Sequence, residues 1–431
     1  MSEPHSRHAA PEVSVVPNAT RTVRFWLVPL VISLSVLAAL AGLYLGGILN
    51  PGTNIRHFPI AVVNEDAGPD GAQIVDGLVS GLDRSKFDVR VLSAEEATHQ
   101  LDTAQVYGLV AIPADFSAKL EAFGRSAVTP GQAVRPVVTI STNPRAGTLG
   151  AGIAAQTLAQ AMGVANTKVG EQLSGQIAQA DGGAALAGGV TLALANPIEV
   201  KPDVHNPLPD GTGNGLSAFY YSLLLLLAGF TGSIVVSTLV DSMLGYVPAE
   251  LGPVYRFAEQ ITISRFRTLL VKWALMVVLA LIASGMYMAI ATGLEMPIPQ
   301  AWGLYLFGVF AIVAVGVTST SLIAALGSMG LLVNMLIFVI LGLPSAGATV
   351  PLQAAPSFFT FLAKFEPMHQ VFLGTRALLY FDGHADAGLS HALILTAIGL
   401  AIGLLIGIIV TMLYDRKGFH RLPGAVEAAR K

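Results

Sequence analysis

The sequence predicts a polytopic α-helical membrane protein, with six transmembrane helices and an extracytoplasmic α/β domain inserted between helices 1 and 2. Three observations predict it. Charged residues make up 12% of the chain and hydrophobic residues 53%, against about 25% charged in an ordinary soluble domain. Several stretches carry no charge over lengths that cross a bilayer core, which takes about 20 helical residues. Between the first and second of these stretches lies a block of ordinary polar protein.

The elements follow in order. Residues 1–24 are a polar tail. Residues 25–49 form the first span, with Pro29 in its early turns, where proline is tolerated. They do not read as a cleaved signal peptide, because the apolar stretch is long and no small-residue cleavage site follows it. Residues 50–215 hold 16 acids and 10 bases and form the inserted domain. The second span is 216–240, followed by a loop at 241–272 and a third span at 273–293, with Lys272 at its rim. No charge occurs from Met296 to Ala363. The apolar stretch 302–343 would be about 63 Å long as one helix at 1.5 Å per residue. It therefore reads as spans four and five, joined by a tight turn within Val317–Gly330. A loop at 344–392, a last span at 393–413 and a tail at 414–431 complete the chain.

Orientation follows from Lys and Arg near the span ends. Arg7, Arg21 and Arg24, then Arg256, Arg265, Arg267 and Lys272, then Arg416, Lys417, Arg421, Arg430 and Lys431 fall on one side. The expectation is a multi-pass protein of the plasma (inner) membrane with both termini cytoplasmic and the inserted domain outside.

Inside the inserted domain, Phe58–Val63 and Phe87–Leu92 read as strands and Ile74–Leu82 as a helix. Ser93 and Glu96 form a capping-box pattern opening a helix through Leu101. Val106–Ile112 is a continuous apolar run fit for a buried strand. Pro113 opens a helix through Phe123, and Val134–Ser141 is a further strand interrupted by Pro136. This spacing predicts a small α/β sandwich on a partly parallel sheet. Leu149–Leu194 reads as long helix, bent or broken at Gly182–Gly183 and Gly188–Gly189. It forms either a stalk or partner surface, or a helical hairpin closing the domain.

Composition excludes several function classes. With no cysteine there is no disulfide scaffold, thiolate chemistry or Cys-ligated metal. A net charge of −3 gives no basic excess for nucleic acid. No P-loop, HExxH or nucleophile-elbow pattern occurs. The chain is read as a non-enzyme, without catalytic residues, cofactor or metal, and without a nucleotide site of its own. Asp382, His384 and Asp386 alternate in a loop that reads either as a weak metal site or as solvated chain.

Four places carry the candidate functional residues. Asn64, Glu65 and Asp66 close the first strand, where paired acids either bind a cation or cap a turn. The segment Tyr255–Lys272 is amphipathic, with Arg256, Glu259, Arg265 and Arg267 mostly off its apolar side. It reads as an interfacial helix or as a docking surface for a cytoplasmic partner. The loop from Leu343 to His391 is apolar yet broken by Pro344, Pro351, Pro356 and Pro367, as re-entrant or interfacial pieces on the outer face would be. Asn334 is the clearest polar residue inside a span, a helix-packing or a substrate contact.

Three segments resemble a known group. FPIAVVNEDAG (Phe58–Gly68), YGLVAIPADFSAKL (Tyr107–Leu120, with Asp115 and Phe116) and the loop LPSAGATVPLQAAPSFF…GTRALLYFDG (Leu343–Gly383) are similar to those of the phage infection protein (YhgE/Pip-like) group of ABC-2-type membrane proteins, and of the related DUF3533 membrane proteins. In the last segment Ala346 stands where relatives often have Ser or Gly.

The resemblance implies a permease subunit exporting a hydrophobic or lipid-like substrate or drug, working with a separate ABC ATPase as a homodimer or heterodimer in the lipid bilayer. On that reading Arg256, Glu259, Arg265 and Arg267 couple to the ATPase. Pro344, Ser345, Gly347, Pro351, Pro356 and Arg376 belong to the exit loop. The alternative is a non-transporting envelope scaffold or receptor whose outer domain binds a partner.

Overall fold

The computed structural model describes residues 22–126, 134–180, 188–256 and 258–419. Most of both tails, including Arg7, Arg21, Arg421, Arg430 and Lys431, and the expected bend at Gly182–Gly183 lie outside the described residues.

Helix α1 (Val23–Ile48) is the first of six helices long and apolar enough to cross a membrane. It stands at the edge of the molecule, and of its residues only Gly47 is buried. A short helix α2 (Pro51–Asn54) then leads into the α/β domain. This domain runs through β1 (Phe58–Asn64), α3 (Pro69–Gly81), β2 (Phe87–Leu92), α4 (Ala94–Asp102), β3 (Gly108–Ile112), α5 (Phe116–Arg125), β4 (Val137–Thr142), α6 (Thr148–Ala180), α7 (Gly188–Ala195) and β5 (Glu199–Val204).

The five strands form one sheet in the order β2-β1-β3-β4-β5. β1 pairs parallel with β2 and β3, β4 pairs antiparallel with β3, and β5 pairs parallel with β4. β1 is apolar on both faces because both are covered, as in other parallel arrangements. Phe58, Ile60 and Val62 pack with Ile74 and Leu78 of α3, Phe116 and Leu120 of α5, and Leu158 and Met162 of α6. Ala61 and Val63 face Ala97 and Leu101 of α4 on the other side.

At the start of α4, Ser93 accepts the Glu96 amide at 3.2 Å, but the Glu96 carboxylate turns to Gln100 at 2.7 Å. Only half of the expected capping box forms. Helix α7 folds back on α6, with Phe123, Ile177 and Leu194 forming one cluster. Asn166 brackets Ile198 with two 2.9 Å hydrogen bonds. The described parts of the helical segment therefore pack back against the domain, as the hairpin alternative has it.

The remaining spans form a bundle. Helix α8 (Leu216–Met243) leads to a two-stranded hairpin of β6 (Ala249–Leu251) and β7 (Val254–Arg256). Helix α9 (Arg265–Gly293) returns across the bundle. Helix α10 (Ala301–Leu326) is its most enclosed member, packed against α8, α9 and the last span. The turn predicted within Val317–Gly330 falls at Gly327, whose φ of 61° and ψ of −134° suit glycine and strain other residues.

The fifth span runs Ser328–Ser345. It is built from α11 (Ser328–Met335), a π-helical stretch at Leu336–Leu341, and α12 (Gly342–Ser345). After α13 (Ser357–Leu362) and α14 (Pro367–Tyr380) comes the sixth span, α15 (Leu389–Arg416).

Two boundaries differ from the sequence reading for a physical reason. Helix α9 begins at Arg265, with Ser264 capping the Arg267 amide at 3.2 Å. The charges of Arg265, Arg267 and Lys272 sit on its first two turns, so hydropathy alone places the start too late. The expected amphipathic helix from Tyr255 does not form. Tyr255 and Arg256 are in β7, residues 258–264 have no regular secondary structure, and the residues beyond belong to the third span itself.

Candidate functional site

Helices α13 and α14 form a hairpin between spans five and six. The chain turns at Gly347, where φ is 71°. It then reaches the α/β domain at Gln353, whose carbonyl accepts the Arg56 amide at 2.8 Å. The Gln353 side chain accepts the Tyr107 hydroxyl at 3.2 Å, and Tyr107 is stacked on Phe58 at 4.6 Å. Val350, Ala354, Ala355 and Phe359 pack with Leu43 of α1 and Ile153 of α6. Three neighbourhoods thus meet under Pro351 and Pro356: the first span, the domain and the descending arm.

Helix α14 then climbs back along α10. Pro367 and Gln370 line one crevice with Ala314 and Thr318, Gly374 lies against Phe307, and Leu378 lies beside Gly303. A Cβ at Gly374 would meet the Phe307 ring, so this close approach requires glycine. At the top, the Tyr380 hydroxyl bonds the Ser217 hydroxyl at 2.8 Å and accepts the Ala218 amide at 3.3 Å. The ascending arm is thereby fixed to the first turn of α8.

The lower end of α14 holds an arrangement that charge counting overlooks. Glu366 is the N-cap and accepts the His369 amide at 3.1 Å. Pro367 occupies the first helical position, where its missing N–H costs nothing. Glu366 is 2% exposed, and its Oε1 has no hydrogen-bond partner. His369 Nδ1 lies 2.8 Å from the Ala346 carbonyl. Gln370 donates to the Ala363 carbonyl at 2.9 Å, and its Oε1 lies 3.0 Å from His391 Nδ1. These contacts tie the turn after span five, the hairpin tip and the start of span six together.

Two arginines cross the joint between domain and hairpin in opposite directions. Arg145 of the domain donates to the Tyr380 carbonyl at 3.1 Å and to the Pro207 carbonyl at 3.1 Å. Arg376 of α14 donates to the Ala146 carbonyl at 3.0 Å. It is also held over the rings of Phe372 and Phe381, at 5.5 and 5.6 Å. Of the expected loop residues, Arg376 makes the joint. Pro344 contacts α1 near Gly47, and Ser345 bonds back to the Leu341 carbonyl at 2.7 Å.

The Asn64-Glu65-Asp66 segment is a structural knot. Asp66 accepts the Ser117 hydroxyl at 2.5 Å, the Ser117 amide at 3.1 Å and the Gly71 amide at 3.2 Å. Asn64 accepts the Asp66 amide at 3.1 Å. The carboxylate thus joins the first turns of α3 and α5 to the end of β1. Burial pushes the Asp66 carboxyl up, but its hydrogen bonds from Ser117, Gly71 and Gly68 outweigh this and leave it below the ordinary Asp range. Neighbouring Asp70 is raised, by burial and then by the Asp66 charge. Glu65 is exposed. Asp115 pairs with Lys119 at 2.7 Å, and Phe116 is buried in the core.

Asp66→Ala should therefore weaken the α/β domain by roughly 1–3 kcal/mol, the cost of leaving buried donors unmet. A group with a lowered folded pKa stabilises fully above its unfolded value, about 3.9 for Asp, and this stability is lost as pH falls through the lowered value. Hydrogen exchange of α3 and α5 in the full-length protein should accelerate below about pH 4 in the parent and change less in D66A.

On the opposite side of the bundle, Arg256 lies exposed on β7 and Glu259 is exposed in the irregular segment that follows. Arg267 is exposed on the first turn of α9. Arg265 serves the chain's own packing. Its Nε donates to the Phe419 carbonyl at 2.6 Å, and its guanidinium lies 5.3 Å from the Tyr414 ring centroid. Asp415 of α15 accepts the Arg265 and Phe266 amides at 2.8 and 3.0 Å, capping α9 from another helix. One to two turns further in, Lys272 pairs with Asp241 at 2.9 Å, with side chains only 2% and 12% exposed. Asn334 donates to the Ser319 carbonyl at 3.0 Å and is buried between α10 and α11, a helix-packing contact. Among the described residues no cluster of three or more His, Asp or Glu is placed to hold a metal ion.

A family model described as "Protein of unknown function (DUF3533)" matches residues 28–411. A comparison with curated proteins returns no match. Among solved structures, the crystal structure of "a domain of a putative ABC type-2 transporter" from Thermotoga maritima MSB8 is matched with 16% identity and a TM-score of 0.26, over 37% of this chain and 98% of that one.

Proposed function

We propose, from the premise that this chain belongs to the DUF3533 family, that it is the permease subunit of an exporter for a hydrophobic or lipid-like substrate or drug. The observation that carries the reading is the α13–α14 hairpin, packed into the bundle and held by the α/β domain; we read it as re-entrant. A segment that enters the membrane zone without crossing it, and whose ends are fixed to three spans, is suited to shape an exit path.

The side with Arg256, Arg265, Arg267, Lys272, Arg416 and Lys417 is the cytoplasmic one by the Lys/Arg bias of short segments. The domain is then outside and the membrane is the plasma membrane. Export needs an energy source, and the chain has no P-loop pattern, so a separate ABC ATPase supplies it. The exposed Arg256, Glu259 and Arg267 are its docking surface. Arg265 is left out of that surface because it holds α15. Helix α1 carries small residues at Ala38, Gly42 and Gly46, with open space beside both glycines. A second permease copy packs there.

Arg256→Glu combined with Arg267→Glu should abolish export and ATPase co-purification while leaving membrane insertion and yield unchanged. Undiminished export by this variant would remove the docking role. The scaffold reading keeps one specific observation in its favour. The domain bears an open cleft of about 550 Å³ lined by Gln73, Glu121, Arg125, Gln172 and Gln176. If the cleft is the working site, its variants should abolish function, and the Arg256/Arg267 variant should not.

A further inference from the structure

A crevice of about 90 Å³ lies between α10, the π-helical part of span five, α14 and α15. Its walls are apolar apart from three polar residues, Thr318, Gln370 and Thr396. Two of these are occupied. Thr318 donates to the Gly399 carbonyl at 3.3 Å, and Gln370 is bonded at both ends of its amide. Thr396 differs: it is 9% exposed, lines the crevice, and its hydroxyl has no hydrogen-bond partner. A buried hydroxyl is normally satisfied, so this one has room for an acceptor or donor from outside the chain.

The mouth of the crevice gives the source. Phe365 lines it and is 58% exposed, and Phe361, whose ring lies edge-on to Phe365 at 5.3 Å, is exposed as well. They belong to the surface that the spans present to lipid. Thr396 lies seven residues into α15, about 10 Å along its axis from the domain-side end. One wall carries Ile337 and Phe338 on the π-helical turn, a wide turn frequent at functional sites.

We infer that this crevice binds a glycerophospholipid from the outer leaflet, with acyl methylenes in the apolar slot and an ester oxygen accepting the Thr396 hydroxyl. The lipid enters past Phe365, between α14 and α15. The inference deepens the export reading by giving the substrate class and a place where the re-entrant hairpin touches it.

The test uses the full-length protein in phosphatidylcholine nanodiscs containing a phosphatidylcholine with a diazirine near its acyl ester. After irradiation, adducts are mapped by mass spectrometry. The expected result is labelling concentrated on Phe338, Phe365, Val371 and Thr396. Ala314→Leu, which fills the slot, and Thr396→Val, which keeps shape but removes the hydroxyl, should each lower it to the level of lipid-facing Ile398 and Ile402. Labelling at those two positions should stay constant. Uniform labelling of all lipid-facing helices, insensitive to both variants, identifies ordinary boundary lipid and overturns the site. Should Ala314→Leu misfold, Thr396→Val alone decides, since it leaves volume unchanged. The assay needs neither ATPase nor turnover, so failure of the export reading would be seen separately, as loss of ATPase dependence.

Discussion

Lys272→Met is expected to lower the stability of the bundle by about 3–5 kcal/mol, the cost of breaking a buried ion pair by removing one member. The ammonium of Lys272 lies 2.9 Å from Asp241, and the pair joins α8 to α9 near the charged side of the bundle. Removing the lysine takes away the cation that lies against a mostly buried carboxylate. The apparent melting temperature in detergent should fall on the order of 5 °C or more. The double variant Lys272→Met, Asp241→Leu removes both charges, and replacing a buried pair with apolar groups is often neutral or better. It should recover most of the loss. A single variant as stable as the parent, or a double variant as poor as the single, would show that the pair does not hold these helices together.

Loosening of the joint is the second large effect. The double variant Arg145→Ala, Arg376→Ala removes both arginines that cross between domain and hairpin. Hydrogen bonds to charged donors contribute about 1.5–3 kcal/mol each, so hydrogen exchange in α14 should speed up by one to two orders of magnitude. The centre of the sheet, at β1 and β3, should exchange as in the parent. The singles report coupling: if the arginines act as one clamp, their effects will not add. Equal protection of α14 in the double variant would assign the joint to the Tyr107–Gln353 and Tyr380–Ser217 contacts alone.

The six spans were legible because bilayer length and charge depletion are read directly from sequence. The Gly327 turn was legible as a range, since 42 apolar residues exceed one crossing. β5 was not legible. It is Glu-Val-Lys-Pro-Asp-Val, an exposed edge strand in which polar and apolar residues alternate, but three charges and a proline in six residues mask the strand signal. Its place is fixed by pairing with β4, which is a tertiary fact. The loop before α9 failed for a different reason. Tyr255 to Lys272 shows a helical period, but its first part pairs as a hairpin and its last part is already the third span.

The site was half legible. Prolines marked the hairpin as broken membrane chain, and the Asn64-Glu65-Asp66 segment was read with turn capping as one of its two roles. Arg376 was singled out, but its counterpart Arg145 was not, because the two are distant in sequence and meet only through the fold. Glu366 followed by Pro367 is a helix-start signature. It could have placed the lower end of α14, yet no sequence pattern announces that this acid is buried. Asp415 likewise looks like a tail residue and proves to cap another helix.

An export function for this chain rests most directly on its link to a separate ATPase. The decisive measurement is purification of the full-length protein from its own membranes in mild detergent after cross-linking. Partners are identified by mass spectrometry, and ATP hydrolysis is assayed on the same sample. The account predicts a stoichiometric ATPase whose cross-links fall on Arg256–Arg267 and whose activity disappears with the Arg256→Glu, Arg267→Glu variant. No ATPase, under conditions that retain a known permease–ATPase pair, would contradict it and move the function to the outer domain.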